Sequence, residues 1–134
     1  MNTLTGTISH VDSAGGIHLI EVDAGGIPCT ATVTGDGFEQ KWLTGQQVML
    51  AFREQEVSLA KHLSGLISIR NMLPCTIREI EHGELLTRIV LYFAGQTIES
   101  VITRRSAIRL NLAPGDEVDA LIKSSDMMLL PNGM

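Results

Sequence analysis

Short runs of alternating apolar and polar residues, separated by turns that contain glycine, fill most of this chain. In the first part of the chain such runs cover residues 7–11, 17–22 and 27–34, with glycine pairs between them. Alternation with a period of two is typical of half-buried strands, and closely spaced turn signals are typical of all-β domains. The pattern therefore predicts an all-β protein, with one turn of helix at residues 38–43.

The order of these segments repeats after 69 residues. The shift superposes Ile20 on Ile89, Val22 on Leu91, Gly26 on Gly95, Thr34 on Thr103 and, after one extra residue near Pro114, Arg53 on Lys123. A register kept through successive alternating strands is hard to reach by chance. We therefore expect two copies of one small β-barrel, at residues 1–61 and 67–134. Because neither copy alone buries much core, the two should pack together or against another chain.

Composition excludes several classes of protein. The net charge of −5 and the pI of about 5.2 argue against a nucleic-acid binder, which needs a basic surface to neutralise phosphates. The first residues have no basic segment followed by an apolar one, and no apolar run approaches the roughly 18 residues of a membrane span. We expect a cytoplasmic protein that neither inserts into a membrane nor binds nucleic acid.

The residues that usually carry cofactor or catalytic chemistry are sparse. Cys29 and Cys75 form no C-x-x-C motif, so we expect two buried free thiols. The four histidines have no paired ligand spacing, which argues against a bound metal cation or other cofactor. No nucleophile has an obvious base and no phosphate-binding glycine loop is present, so we expect a binding protein and not an enzyme.

Charged and hydroxyl side chains of the second copy predict an anion site. Ser68 and Arg70 stand two residues apart in a segment expected to be extended, which would place both side chains on one face. Lys123 ends an alternating strand just before a Ser-Ser-Asp turn. These side chains can all donate hydrogen bonds or carry positive charge, and none is a carboxylate, so we expect the pocket to favour a fully ionised oxyanion and to reject hydrogen phosphate.

A second set of donors is expected around a short helix. Thr103 precedes the segment 104–110 at the position where a hydroxyl caps the free N–H groups of a helix. Ser106 then falls on the first turn, where the N–H groups and the helix dipole favour negative charge.

The same residues resemble the Mop, or TOBE-type, molybdate-binding domains over about residues 67–130. The motifs are Ser-Ile-Arg-Asn-Met-Leu-Pro at 68–74, Ile-Glu-His-Gly at 80–83, Val-Ile-Thr-x-x-Ser at 101–106 and Leu-x-Leu-x-Pro-Gly-Asp-Glu-Val-x-Ala-Leu-Ile-Lys-Ser-Ser at 110–125. The resemblance implies two tandem small OB-like β-barrels, each with a short helix, that bind molybdate or tungstate. The oxyanion-binding residues it implies are Ser68, Arg70, Asn71, Thr103, Ser106, Lys123 and Ser124.

The first copy departs from this pattern where the ligand would bind. Asp36 and Gly37 follow Thr34 in place of the Thr-x-x-Ser motif, and Glu54 follows Arg53. A carboxylate there would repel an oxyanion, so we expect the first copy to have lost its site. In the family the Ser-x-Arg-Asn strand and the Thr-x-x-Ser and Lys elements that share a ligand come from different domains.

The resemblance therefore implies a homo-oligomer, most simply a two-fold dimer. Each ligand would contact Ser68 and Arg70 of one chain and Thr103, Ser106 and Lys123 of the other.

Three functions remain open at this stage. The chain could bind oxyanion for storage or homeostasis. It could regulate molybdate uptake, with transporter components as partners, because residues 53–71 also resemble the C-terminal regulatory region of molybdate-transporter ATPases. Alternatively, it could be a structural dimerisation module with a vestigial site.

Overall fold

The structure is a computed structural model that describes residues 1–35 and 41–132. Within those residues the chain forms ten strands and one short α-helix, α1 (Arg104–Arg109). The first sheet has the order β10-β4-β1-β2-β3. Its strands are β1 (Asn2–Ala14), β2 (Ile17–Ala24), β3 (Ile27–Thr34), β4 (Gln47–Phe52) and β10 (Met128–Pro131).

The second sheet has the matching order β5-β9-β6-β7-β8. Its strands are β5 (Ser58–Ala60), β6 (Asn71–His82), β7 (Leu86–Phe93), β8 (Gln96–Thr103) and β9 (Glu117–Ile122). All strand pairs are antiparallel, and the fold is the predicted all-β pair of OB-like units.

The repeat predicted from the sequence is confirmed by the position of a β-bulge. In β1 the register shifts between Ile8 and His10, and in β6 it shifts between Ile77 and Glu79. The two bulges are 69 residues apart, which is the shift read from the sequence. A bulge bends its strand, so both long strands curve at the same place and give the two sheets the same shape.

Each repeat places its last strand in the sheet of the other. Strand β5 pairs with β9, with Ser58 opposite Leu121, and β10 pairs with β4, with Met128 opposite Ala51. A short 3-10 turn precedes each crossing strand, at Glu54–Glu56 and at Ser124–Asp126. The two sheets therefore interlock, although the repeats follow one another along the chain.

The core is continuous between the two repeats. One cluster of buried side chains includes Phe52 of the first repeat and Phe93 of the second. It also includes Val57 and Met127, which precede the two crossing strands. The turn at Gly25 approaches Ala94, its counterpart in the second repeat, so closely that an added Cβ would lie 2.5 Å from the Ala94 Cβ. The two repeats therefore share one core and leave no room for a side chain at Gly25.

Three further sequence predictions concern the cysteines, a helical turn and membrane insertion. Cys29 and Cys75 are buried free thiols, as expected. The helical turn predicted at residues 38–43 lies partly outside the described residues, and Trp42, within them, is not helical. Among the described residues, no helix is both long enough and apolar enough to cross a membrane.

Candidate anion-binding site

Arg70 and Lys123 lie side by side at one end of the second sheet. The last pair of the β6–β9 ladder is Asn71 with Ile122, so Arg70 and Lys123 stand one residue beyond it on neighbouring strands. Opposed Cα atoms in such a ladder are about 4.5–5.5 Å apart. Within residues 1–35 and 41–132 neither side chain forms an ion pair. Two neighbouring cations without a counter-ion repel each other, and a bound anion would relieve that repulsion.

Asn71 anchors this strand end to the first repeat. Its Oδ1 accepts a hydrogen bond from the Thr30 N–H at 2.6 Å, and its Nδ2 donates to the Thr30 carbonyl at 3.0 Å and towards the Met127 Sδ at 3.4 Å. The Asn71 side chain is fully buried. Both of its N–H donors are therefore used inside the protein, which differs from the ligand role implied for Asn71 and makes it a positioning residue.

Ser124 forms a second link between the repeats. The Thr32 hydroxyl donates to the Ser124 Oγ at 3.0 Å, from two residues beyond Thr30 on β3. A serine oxygen that accepts this bond keeps its own hydrogen for another acceptor. Ser124 therefore has a donor available beside Lys123.

A cavity of about 220 Å³ lies between the repeats at this point. The second repeat contributes Arg70 and Ser124. The first repeat contributes His10, Asp12, Leu19, Glu21 and Thr30. The acidic residues Asp12 and Glu21 line the same cavity as Arg70, which differs from the predicted pocket without hydrogen-bond acceptors.

Ser68 lies in a bend before β6, which begins at Asn71. The prediction that Ser68 and Arg70 share a strand face is therefore wrong. Both side chains are exposed, and Ser68 precedes the cationic strand end by only two residues.

Thr103 and Ser106 adopt the local geometry predicted for them. The Ser106 N–H donates to the Thr103 Oγ1 at 3.1 Å, which caps α1, and the Thr103 hydroxyl donates to the Ser106 Oγ at 2.9 Å. The two hydroxyls are thus linked to each other at the start of the helix.

These two hydroxyls lie at the other end of the second sheet from Arg70. Thr103 pairs with Leu86 at the start of β7, next to the end of β6 at His82. Strand β6 runs on the order of 35 Å from Asn71 to His82, at about 3.3 Å per residue. The hydroxyls of Thr103 and Ser106 therefore do not reach Arg70 within one chain. The predicted grouping of Lys123 with Thr103, on the opposite side of a ligand from Arg70, is wrong because Lys123 neighbours Arg70.

The equivalent place in the first repeat has a matching anchor. Asn2 exchanges two hydrogen bonds of 2.8 Å with the backbone of Glu99, just as Asn71 does with Thr30. Asn2 falls on Asn71 in the 69-residue shift. The asparagine shared by the two repeats is therefore a signal in the sequence from which both anchors could be found.

The charges at that place are already paired. Arg53, the counterpart of Lys123, lies 3.8 Å from Glu56, and Glu54 replaces Ser124. A hydrogen bond from the Met1 ammonium lowers the pKa of Glu54. Carboxylates therefore lie beside the cations at this end of the first repeat, and the loss of its site stays a prediction. Asp36 and Gly37, which also entered that prediction, lie outside the described residues.

The partners of Arg70 and Lys123 on the first repeat could not be found from the sequence. His10, Asp12, Glu21, Thr30 and Thr32 carry no motif, and they reach the site only because the two repeats pack through Asn71 and Ser124.

The chain is similar to proteins whose names refer to molybdenum. The molybdenum import ATP-binding protein ModC of Brucella abortus (strain 2308) is 36% identical over 122 residues, which cover 90% of this chain and 32% of that protein. The molybdenum-pterin-binding protein MopA of Rhodobacter capsulatus is 43% identical over 67 residues, which cover 49% of this chain and 25% of that protein. The chain thus spans about a third or less of these curated relatives.

A solved structure matches the whole arrangement of the two repeats. The cytoplasmic molybdate-binding protein ModG, in a crystal form with molybdate bound, has a TM-score of 0.92 and 28% identity with this chain. The match covers 97% of this chain and 95% of that one. Residues 1–59 and 67–129 each match the TOBE domain, in the order of the two structural repeats. The chain therefore belongs to the TOBE domain family and carries two copies of that domain.

Proposed function

We propose that this protein binds molybdate or tungstate at the strand end formed by Arg70 and Lys123. The observation that carries the proposal is the pair of neighbouring cations, which have no ion-pair partner among residues 1–35 and 41–132. The molybdate bound to ModG and the molybdenum-related names of the relatives support this choice of anion.

The chemistry of the strand end suits a tetrahedral dianion. Two fixed positive charges match its charge, and the hydroxyls of Ser124 and Ser68 supply neutral donors. Arg70 offers a planar set of N–H donors that can contact two oxygens at once, whereas Lys123 acts as a compact point charge. Asn71 holds β6 against β3 and so fixes where both cations stand.

Thr103 and Ser106 would take part through a second chain. They are too far along the sheet to reach Arg70 of their own chain, but their hydroxyls lie at the surface end of β8 and α1. We propose a homo-oligomer in which this end of one copy meets the Arg70 and Lys123 end of another. A closed arrangement of this kind gives every copy the same site.

We propose a cytoplasmic binding protein, and not an enzyme, that stores molybdate or adjusts its uptake. The similarity to ModC over 90% of this chain supports a second role, in which the protein contacts components of a molybdate transporter. A structural module with a vestigial site is the alternative that a binding measurement decides.

Isothermal titration of the purified protein with molybdate, tungstate, sulfate and phosphate tests the binding proposal. We expect saturable binding of molybdate or tungstate. The affinity for sulfate and phosphate should be at least about tenfold weaker. The same small response to all four anions would indicate screening of surface charge alone and would leave the structural module as the function.

Light scattering coupled to size exclusion tests the assembly. We expect a mass that is a whole multiple of 14.5 kDa and above one chain. Ser106→Ala should weaken molybdate binding without changing that mass, because the Ser106 hydroxyl would contact the ligand from a neighbouring copy. A monomer that binds molybdate with unchanged affinity after Ser106→Ala would contradict the shared site.

A further inference from the structure

The wall of the cavity that faces Arg70 is one continuous face of the first sheet. His10, Glu21 and Thr30 stand opposite one another on β1, β2 and β3, and Asp12, Leu19 and Thr32 form the next row. Thr30 and Thr32 are the two residues held by Asn71 and Ser124. The same face that anchors the cationic strand end therefore also presents carboxylates to it.

The charge of this wall is poorly compensated within its own repeat. Asp12 pairs only with the imidazole of His10, at 3.0 Å, and both side chains are largely exposed. Glu21 accepts a hydrogen bond from the Ser9 hydroxyl at 3.3 Å and has no ion-pair partner among the described residues. Two negative charges thus line the cavity that Arg70 enters.

On the equivalent face of the second repeat the carboxylates are paired with an internal cation. Arg88, the counterpart of Leu19, lies 3.7 Å from Glu81 and forms a bidentate pair with Glu99 at 2.8 Å. Glu81 is the counterpart of Asp12. In the first repeat Leu19 removes this internal cation, so Arg70 from the other repeat is the nearest fixed positive charge on the cavity wall.

We propose that Asp12 and Glu21 tune the affinity of the oxyanion site, and that they weaken its binding of dianions. The inference rests on the proposed function, because it concerns the ligand of Arg70 and Lys123. A carboxylate across a small cavity repels a dianion about twice as strongly as a monoanion. Asp12 and Glu21 therefore lower the affinity for molybdate. Removing either charge should raise that affinity.

Molybdate titration of single variants tests the proposal. Asp12→Asn and Glu21→Gln keep the shape of each side chain and remove one charge. We expect each to tighten molybdate binding by about three- to tenfold at low ionic strength, with a smaller gain at high salt. Glu81→Gln is the matched control, because Glu81 holds the equivalent position in the second repeat and is paired with Arg88.

The possible outcomes separate this proposal from the function on which it rests. Tighter binding by Asp12→Asn and Glu21→Gln, with Glu81→Gln unchanged, supports it. Molybdate binding that is equal in all four proteins, or weaker in the two cavity variants, overturns the role of the carboxylates and leaves the binding function intact. If neither the wild type nor any variant binds molybdate, the binding function fails and this proposal fails with it.

Discussion

The side chain of Asn71 brackets the backbone of Thr30, accepting from its N–H at 2.6 Å and donating to its carbonyl at 3.0 Å. The amide side chain thus satisfies both backbone polar groups of one residue, as a neighbouring strand would. It joins the edge strand β3 of one repeat to the first residue of β6 in the other. The position of Arg70, one residue earlier, therefore depends on this anchor.

Asn71→Ala should lower the free energy of unfolding by about 2–4 kcal/mol, because the Thr30 N–H and carbonyl would stay buried without partners. Urea denaturation of the variant measures this loss. Ser125→Ala, at an exposed position in the 3-10 turn Ser124–Asp126, is the control and should change stability by less than about 0.5 kcal/mol. A similarly small change for Asn71→Ala would show that the anchor does not hold the repeats together.

The exchanged strands predict that both repeats unfold together. Trp42 lies in the first repeat and Tyr92 in the second, and each is the only residue of its type in the chain. Because the repeats share one core and each completes the sheet of the other, Trp42 fluorescence and the NMR ring signals of Tyr92 should report one midpoint in urea. Two separated transitions would mean that the repeats are independent domains.

The buried thiols predict a loss of stability at alkaline pH. Burial raises the pKa of Cys29 to about 11 and that of Cys75 to about 12, from an ordinary value of 9.0. A group whose pKa is raised by folding contributes stability below its unfolded value and loses it as the pH rises through the folded one. The free energy of unfolding should therefore fall as the pH increases above about 9.

Thiol labelling offers an independent check on the same feature. At about pH 8 a disulfide reagent should react with neither cysteine of the folded protein and with both after denaturation, since a protonated, buried thiol is a poor nucleophile. Rapid reaction of one equivalent in the folded state would show that Cys29 or Cys75 is accessible.

The sequence was sufficient for features that depend on neighbours along the chain. The 69-residue shift located both bulged strands, Thr103 caps α1 as predicted, and Lys123 follows the last residue of β9. Each of these follows from local periodicity or from the preference of a hydroxyl for a helix start.

Features that depend on how the repeats dock were missed. Residues 128–131 are all apolar and fit either sheet, so nothing local assigns β10 to the sheet of β4. The same holds for the cavity: Asp12 and Glu21 follow ordinary strand patterns and reach Arg70 only through the packing of β3 against β6. Lys123 stands beside Arg70 because β6 pairs with β9, and a sequence does not show which strands are neighbours.

The most direct test of the account compares Lys123→Ala with Arg53→Ala in a molybdate titration. The two residues are equivalent in the two repeats, but Lys123 stands beside Arg70 with no ion-pair partner in the described part of the chain, whereas Arg53 lies 3.8 Å from Glu56. We expect Lys123→Ala to weaken molybdate binding by at least about tenfold, because half of the fixed positive charge at the site is lost. Arg53→Ala should leave the affinity within about twofold of the wild type, a difference of about 0.4 kcal/mol. Equal weakening by both variants, or by neither, would contradict the assignment of the site to the end of β6 and β9.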